Sequence, residues 1–557
     1  MKKKIALLLA LALILTVFSA CGGTPAASPS ASAVPSESAA PSDGGTPAAP
    51  KQLTAQLGPN PETIDPALNS AVDGANYILF AYDCLLNVDK DNKIVGGAAE
   101  TWETSADGLT WTFHLREGLK WSDGSPLTAK DFVYSWKRVA DPNTAAPYAL
   151  MVLGMVVGFE EAAAGNPDAL AVSAPDDSTF VVKLAHPCAY FDKLAAFQVL
   201  SPVNQATIEA NGDAWATKPE TYICNGAFYI KEWVPSSYIL FAKNPYYWNA
   251  EAVKLDTMKM LLIEDANASY AAWQSNEAMM IKDVPTNEIP SLNGNPEFYI
   301  EPIQGTYYIC LNDTLPEFSD PRVRQALSLA LDRNPVAETL STNVFAPASS
   351  LVGPGITDWD GKPFMENANG GKPYIDNSDP AANLEKAKQL LAEAGYPNGE
   401  GFPTVDYSIN DAGYHKIVAQ YVQQAWKELG INVNVNVVEW ASFLPLRRAG
   451  DYQISRNGWV FDYNDASNFM GLFMTGDGNN DAKYSNPQYD ELMNKAAAEP
   501  DPQTRSNYMH QAEDIFMADM GTIPLMYYNE FYLQRENITG SWHSPSGFWY
   551  FQYADIT

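Results

Sequence analysis

The sequence is poor in the side chains that enzymes and metal proteins most often use. Its five histidines are His114, His186, His415, His510 and His543. No two lie three to five residues apart, which excludes an H-E-x-x-H site. No G-x-S-x-G elbow occurs. "GKP" at 361–363 and "GGKP" at 370–373 carry Pro where a phosphate loop needs Ser or Thr, so both read as turns. There are five cysteines in 557 residues and no C-x-x-C, so metal binding is not expected. Beyond Cys21 the four others, Cys84, Cys188, Cys224 and Cys310, are compatible with disulfides outside the cytoplasm, in a pairing that spacing leaves open. Basic residues are scarce as well: 35 against 66 acidic, a net charge of −31. Nucleic acid is therefore not an expected partner, and an anionic membrane surface repels the chain. Past residue 18 no stretch approaches the 18 apolar residues of a spanning helix. Neither cofactor nor catalysis is expected. The acidic cluster "FDYND" (461–465) leaves a glycosidase open, beside the plainer readings of a solvated loop or ligand-contact residues.

What is present begins at the N-terminus. "MKKKIALLLALALILTVFSAC" has three lysines, an apolar run from Ile5 to Phe18, and small residues before Cys21, the layout of a secretory signal over 1–20. "FSAC" resembles a bacterial lipobox, with Phe18 in place of the usual Leu, and implies lipidation of Cys21. Without Lys2, Lys3 and Lys4 the chain has 32 basic and 66 acidic residues, or −34. Residues 22–50 contain only Gly, Thr, Pro, Ala, Ser, Val, Glu and Asp. Such a segment cannot bury a core and reads, with Cys21, as a tether over 21–50. The expected protein is globular, outside the cytoplasm, and held at the membrane only through a lipid.

The body should begin near Lys51, and its length suggests about three domains. Fourteen Trp and 29 Tyr are ample for a core and for lining a cleft. Alternating patterns predict strands at 109–116, at 178–184, and on both sides of Pro235-Ser236. Helical spacing predicts helices at 323–332 and 415–430, with a strand at 431–440. At 379–395, Asp379 reads as N-cap, Pro380 as N1 and Gly395 as the stop. Residues 345–379, rich in Gly, Pro and Asn, predict a long loop that wraps a surface or carries function. Mixed helices and strands predict an α/β architecture.

One stretch, "SRNGWVFDYNDASNF" (455–469), raises a chemical question. Read as a strand, it puts Arg456, Gly458, Val460 and Asp462 on one face. Arg456 and Asp462 then stand roughly 20 Å apart, too far to pair. Gly458 leaves bare backbone between them, where another chain can approach. The pattern fits an extended zwitterion such as a short peptide. On this window alone, a surface strand with unrelated charges is the plainer reading.

Several blocks decide between these. "ETIDPALN" (62–69), "WTFHLREGLKWSDGSPLTAKDFVYSWKRVADPNTAAPYA" (111–149), "NGAFYIKEWV", "AKNPYYWN", "FSDPRVRQALSLALDR" (318–333) and "TIPLMYYN" (522–529) together resemble the extracytoplasmic oligopeptide-binding proteins of ABC importers, solute-binding protein family 5, which includes dipeptide and nickel binders. The resemblance runs from residue 51 to the end. "SNEAMM" (275–280) departs from it. So do Gly305 and Val460, where some relatives carry a cleft-side disulfide. The resemblance implies a periplasmic-binding-protein-like fold: two lobes closing on a ligand like a flytrap, with an extra inserted domain. It puts 51–82, 201–304 and 531–557 in lobe I, 83–200 in the insert, and 305–530 in the other lobe. It implies that Asp462 takes a peptide's α-amino group and Arg456 the carboxylate of a short peptide. Arg447 and His415 would serve longer peptides, although His415 is also a candidate helix cap. Trp440 and Trp459 match pocket aromatics, and Tyr308 and Tyr528 match cleft tyrosines. The implied partners are short peptides and the permease and ATPase subunits of the importer, with the binding protein itself a monomer. A metal chelate, haem or sugar as ligand, a signal-receptor role, and a surface hydrolase stand as alternatives.

Overall fold

A computed structural model describes residues 50–340, 344–411 and 414–557, so Cys21 and the tether lie outside the described residues. Residues 50–557 form one compact unit.

The dominant feature is an eleven-stranded sheet. Its centre is a pair of long antiparallel strands, Phe298–Leu311 and Ile523–Gln534. They run in register from Phe298 opposite Leu533 to Ile309 opposite Ile523, with a break between Pro302 and Thr306. On one side follow Met280–Ile281, Gln52–Gly58, Thr257–Leu262, Tyr238–Lys243 and Phe228–Val234. On the other follow Ile454–Val460, Val405–Asn410 and Val433–Val438. Both flanks contain parallel pairs (52–58 with 257–262, and 405–410 with 433–438), which demand helices as cover. Two α/β lobes joined by two continuous strands result. Between 58 and 228 the chain builds a separate four-stranded sheet from Ala99–Thr104, Thr110–Leu115, Thr179–Lys183 and Val172–Ser173. The helix Ala129–Ala140 buries Phe132 and Trp136 against Phe180 of this sheet.

Local punctuation explains the elements. Asp379 accepts a hydrogen bond from the Ala382 amide (3.0 Å) and starts the helix Pro380–Glu393. Gly395 follows it at φ +101°, the left-handed geometry that ends helices. Ser236, at φ +56°, turns the 228–243 hairpin. The predicted helix at 415–430 spans His415–Lys427, and the one at 323–332 spans Pro321–Leu329.

Three expectations need correction. The 431–440 strand ends at Val438, and Trp440 opens a helix, Trp440–Ala449, instead. The 455–469 stretch is strand only to Val460 and helix again from Ser467 to Met470. The 345–379 loop is not a loose surface wrap, since Leu351, Val352, Ile356 and Phe364 are fully buried. It is tied down where the Ser349 and Ser350 amides donate to the Tyr527 hydroxyl and the Val352 amide to Glu513. The question of disulfides is resolved: all four described cysteines are free and buried. Burial pushes each thiol up to about 12, which leaves them unreactive.

Candidate functional site

A cavity of about 280 Å³ lies between the lobes. The strand Ile454–Val460 supplies one wall. It pairs with 298–311 along its whole length, Gly305 to Val460 through Leu311 to Ile454. On its other edge it meets 405–410 only at Ile454 and Ser455. Past Ser455 the two strands part, and among the described residues, 456–460 present an edge without a strand partner, where the Gly458 amide donates to Asn457 Oδ1 (2.8 Å) and the Arg456 carbonyl accepts from the Ser455 hydroxyl (3.0 Å). Such an edge is a template for an added strand.

The charges stand at the two ends of that edge. Arg456 is buried, and its Nε donates to Asn410 Oδ1 (2.6 Å). Its guanidinium lies over the rings of Trp440 (4.9 Å) and Phe443 (5.4 Å). No carboxylate pairs with it among the described residues, and burial lowers its pKa, which the nearby Tyr528 and Tyr307 hydroxyls partly offset.

Asp462 sits two residues beyond the strand's end. Its Oδ2 accepts from Asn468 Nδ2 (3.0 Å) and from the Tyr148 hydroxyl (3.2 Å). Asn468 is itself fixed, since its Oδ1 accepts from the Asp462 amide (3.0 Å) and from Trp459 Nε1 (2.8 Å). No cation lies within ion-pair distance of Asp462 among the described residues. Burial without a counter-charge pushes its carboxyl up to about 7, against the pull of the Asn468 and Tyr148 hydrogen bonds.

The other residues singled out by sequence divide. Gly458, Trp459, Trp440, Arg447, His415 and Tyr528 line the cavity with Arg456 and Asp462. Tyr308 does not. It is buried against Phe469 and Phe473 and touches only a minor void. Gly458, which lines the cavity, also has a packing role. A Cβ there would fall 2.1 Å from the Tyr528 hydroxyl, so the missing side chain makes room for that ring. Arg447 is not a spare cation, since its Nε lies 2.6 Å from Asp481. His415 neither caps its helix nor carries charge: Tyr414 holds the cap position, and burial beside Arg456 drives the imidazole well below its ordinary pKa. Its Nδ1 is buried with no hydrogen-bond partner among the described residues.

Sequence reasoning missed several residues that the fold brings in. Tyr148 and Gln198 come from the segment of the four-stranded sheet. Asp73, raised to about 6 by burial, receives a hydrogen bond from Trp440 Nε1 (3.1 Å). Lys282 pairs with Glu530 (3.5 Å), and this neighbour with Asp283 and Asp73 holds its pKa up against burial. Each was one polar residue among many, and nothing local marked it. Across the mouth, Arg448 grips Glu62 through both terminal nitrogens (3.0 and 2.9 Å) and Ser70 at 3.1 Å. These contacts, with Trp440–Asp73, hold the lobes together.

Two lobes on a pair of continuous strands, with a charged cavity between them, define a binding protein that closes on a solute. The chain belongs to the bacterial extracellular solute-binding proteins, family 5, whose description matches residues 93–481. It is 33% identical over 512 residues to the oligopeptide-binding protein OppA of Bacillus subtilis, covering 90% of this chain and 92% of that one. Haemophilus influenzae OppA in complex with the peptide RPPGFSPFR superposes with a TM-score of 0.84 at 32% identity, over 91% of this chain and 99% of that one. The Escherichia coli murein tripeptide binding protein MppA gives 0.84 at 29% identity, over 91% and 99%. The unliganded open form of MppA gives only 0.60 at the same identity, over 91% and 98%. The lobes here therefore stand closer to the peptide-bound arrangement than to that open one.

Proposed function

We propose that this protein captures short peptides in extended form between its lobes and delivers them to the permease and ATPase subunits of an ABC importer. The observation that carries this reading is the edge at 456–460, which has no strand partner among the described residues, with Arg456 at one end and Asp462 past the other, neither in an ion pair among those residues. Peptide backbone pairs with the edge by strand addition, which gives affinity without reading side chains. The α-amino group meets Asp462, and the carboxylate meets Arg456. A sugar or metal chelate has no use for that amine anchor. The names of the relatives, oligopeptide-binding and murein tripeptide-binding, agree with it.

Lobe I is assigned to 51–82, 201–304 and 531–557, the insert to 83–200 and the other lobe to 305–530. The grouping of strands 52–58, 228–234, 238–243 and 257–262 on one flank supports this division. We assign membrane attachment to a lipid on Cys21, on the strength of "FSAC" and the tether. The direct test is mass spectrometry of what the purified protein releases on denaturation. Short peptides are expected; a sugar, haem or metal chelate would overturn the reading.

A further inference from the structure

A second cavity, of about 330 Å³, adjoins the first. Asp462, Gln198 and Phe548 line both, so these three residues form the partition between two chambers. The second chamber has an apolar wall from Leu79, Val88, Ile94, Phe197 and Tyr550. Its lining also includes Lys193, whose ammonium donates to the Asn464 carbonyl (3.3 Å) and pairs with no carboxylate among the described residues. Thr357, on its lining, is exposed. Cavities of about 150 Å³ already admit benzene, so a five-carbon chain fits.

Resting on the peptide reading above, we propose that the second chamber is a subsite for a group attached to the peptide's N-terminal nitrogen: an acyl chain with an apolar body and a polar or anionic tip. The nitrogen stays at Asp462 as an amide N–H, the chain crosses the partition along Phe548, and the tip meets Lys193. The protein then accepts two ligand classes, free-amine peptides confined to the first chamber and N-acylated peptides that occupy both. The raised pKa of Asp462 makes this workable, because a carboxyl that is readily neutral tolerates an uncharged partner.

Calorimetry with one tripeptide in four forms tests this: free amine, N-acetyl, N-pentanoyl and N-glutaryl. Acetylation should weaken binding most, because it removes the charge and fills little of the second chamber. Pentanoyl should recover about tenfold over acetyl, and glutaryl should bind more tightly still. Thr357→Trp, which narrows the second chamber at an exposed position, should abolish both recoveries and leave the free tripeptide unchanged. Lys193→Ala should remove only the advantage of glutaryl over pentanoyl. Affinity that falls steadily with acyl size, or recovery indifferent to Thr357→Trp, overturns the subsite while the free tripeptide still binds. Failure of the free tripeptide to bind overturns the peptide reading itself, and the subsite with it.

Discussion

An aspartate that titrates near neutrality and has no cation beside it should make peptide binding depend on pH in a defined direction. Burial raises Asp462 to about 7. An ammonium bound to it favours the ionised form and lowers that pKa, so below pH 7 binding must expel a proton. Affinity for a free-amine peptide should fall about tenfold per unit as pH drops from 7 toward 5, and proton release should appear in calorimetry as a dependence on buffer ionisation enthalpy. Asp462→Asn should flatten this profile, and a flat profile in the native protein would contradict the assignment. Removing one partner of a buried charge pair typically costs about 2–5 kcal/mol. At about 1.4 kcal/mol per decade, Asp462→Asn should weaken a free tripeptide by roughly 30-fold or more. N-acetylation should add little further loss in that variant, and such non-additivity ties this carboxylate to that amine. Arg456→Ala should cost a similar amount and be non-additive with amidation of the peptide's C-terminus. Longer peptides should not escape that loss, because Arg447 is held by Asp481 and His415 is neutral.

At the scale of elements, the wall of the cleft depends on the absence of one methyl group. Tyr528 packs over the backbone of Gly458, and a Cβ would meet its hydroxyl at 2.1 Å and its ring carbon at 3.0 Å. Overpacking of this kind costs about 1–3 kcal/mol. Gly458→Ala should therefore lower stability in denaturant by that amount. Adding Tyr528→Phe should restore part of it, because the nearest clash is with the hydroxyl. If the double variant is as unstable as the sum of the single ones, Tyr528 is not what the glycine accommodates. The helix Trp440–Ala449 has a different task. It lays Trp440 on Asp73 and Arg448 on Glu62, so its two ends fasten one lobe to the other. Partly exposed ion pairs are worth about 1 kcal/mol or less. Arg448→Ala should weaken peptide binding only a few-fold, by making the closed form less populated.

For the whole molecule, the two long strands 298–311 and 523–534 are the continuous covalent link along the lobes. Opening of the cleft requires them to bend, and their pairing is already interrupted between Pro302 and Thr306 and shifts again between Tyr307 and Tyr308. Small-angle scattering should give a smaller radius of gyration with saturating peptide than without, and an unchanged radius with binding confirmed would count against closure. Cys21→Ser should release the intact protein from the membrane fraction into the medium. Retention would place the anchor elsewhere.

Local chemistry is legible in the sequence because it depends on neighbours along the chain. Asp379, Pro380 and Gly395 bound their helix and Pro235-Ser236 turns its hairpin, each without reference to anything distant. Whether a side chain is free is a different matter, because its partner can lie anywhere in the chain. Tyr148 reaches Asp462 across 314 residues, and Asp481 neutralises Arg447 from 34 residues away. Gly458 looked like an invitation to a ligand, and the fold also put Tyr528, 70 residues on, over its backbone. Tyr308 looked like a cleft residue until the fold packed it against Phe469 and Phe473, which lie far along the chain. The sequence by itself determined which groups are available and in what order; tertiary structure alone decided which stay unpaired, because charge and burial act through space and not along the chain.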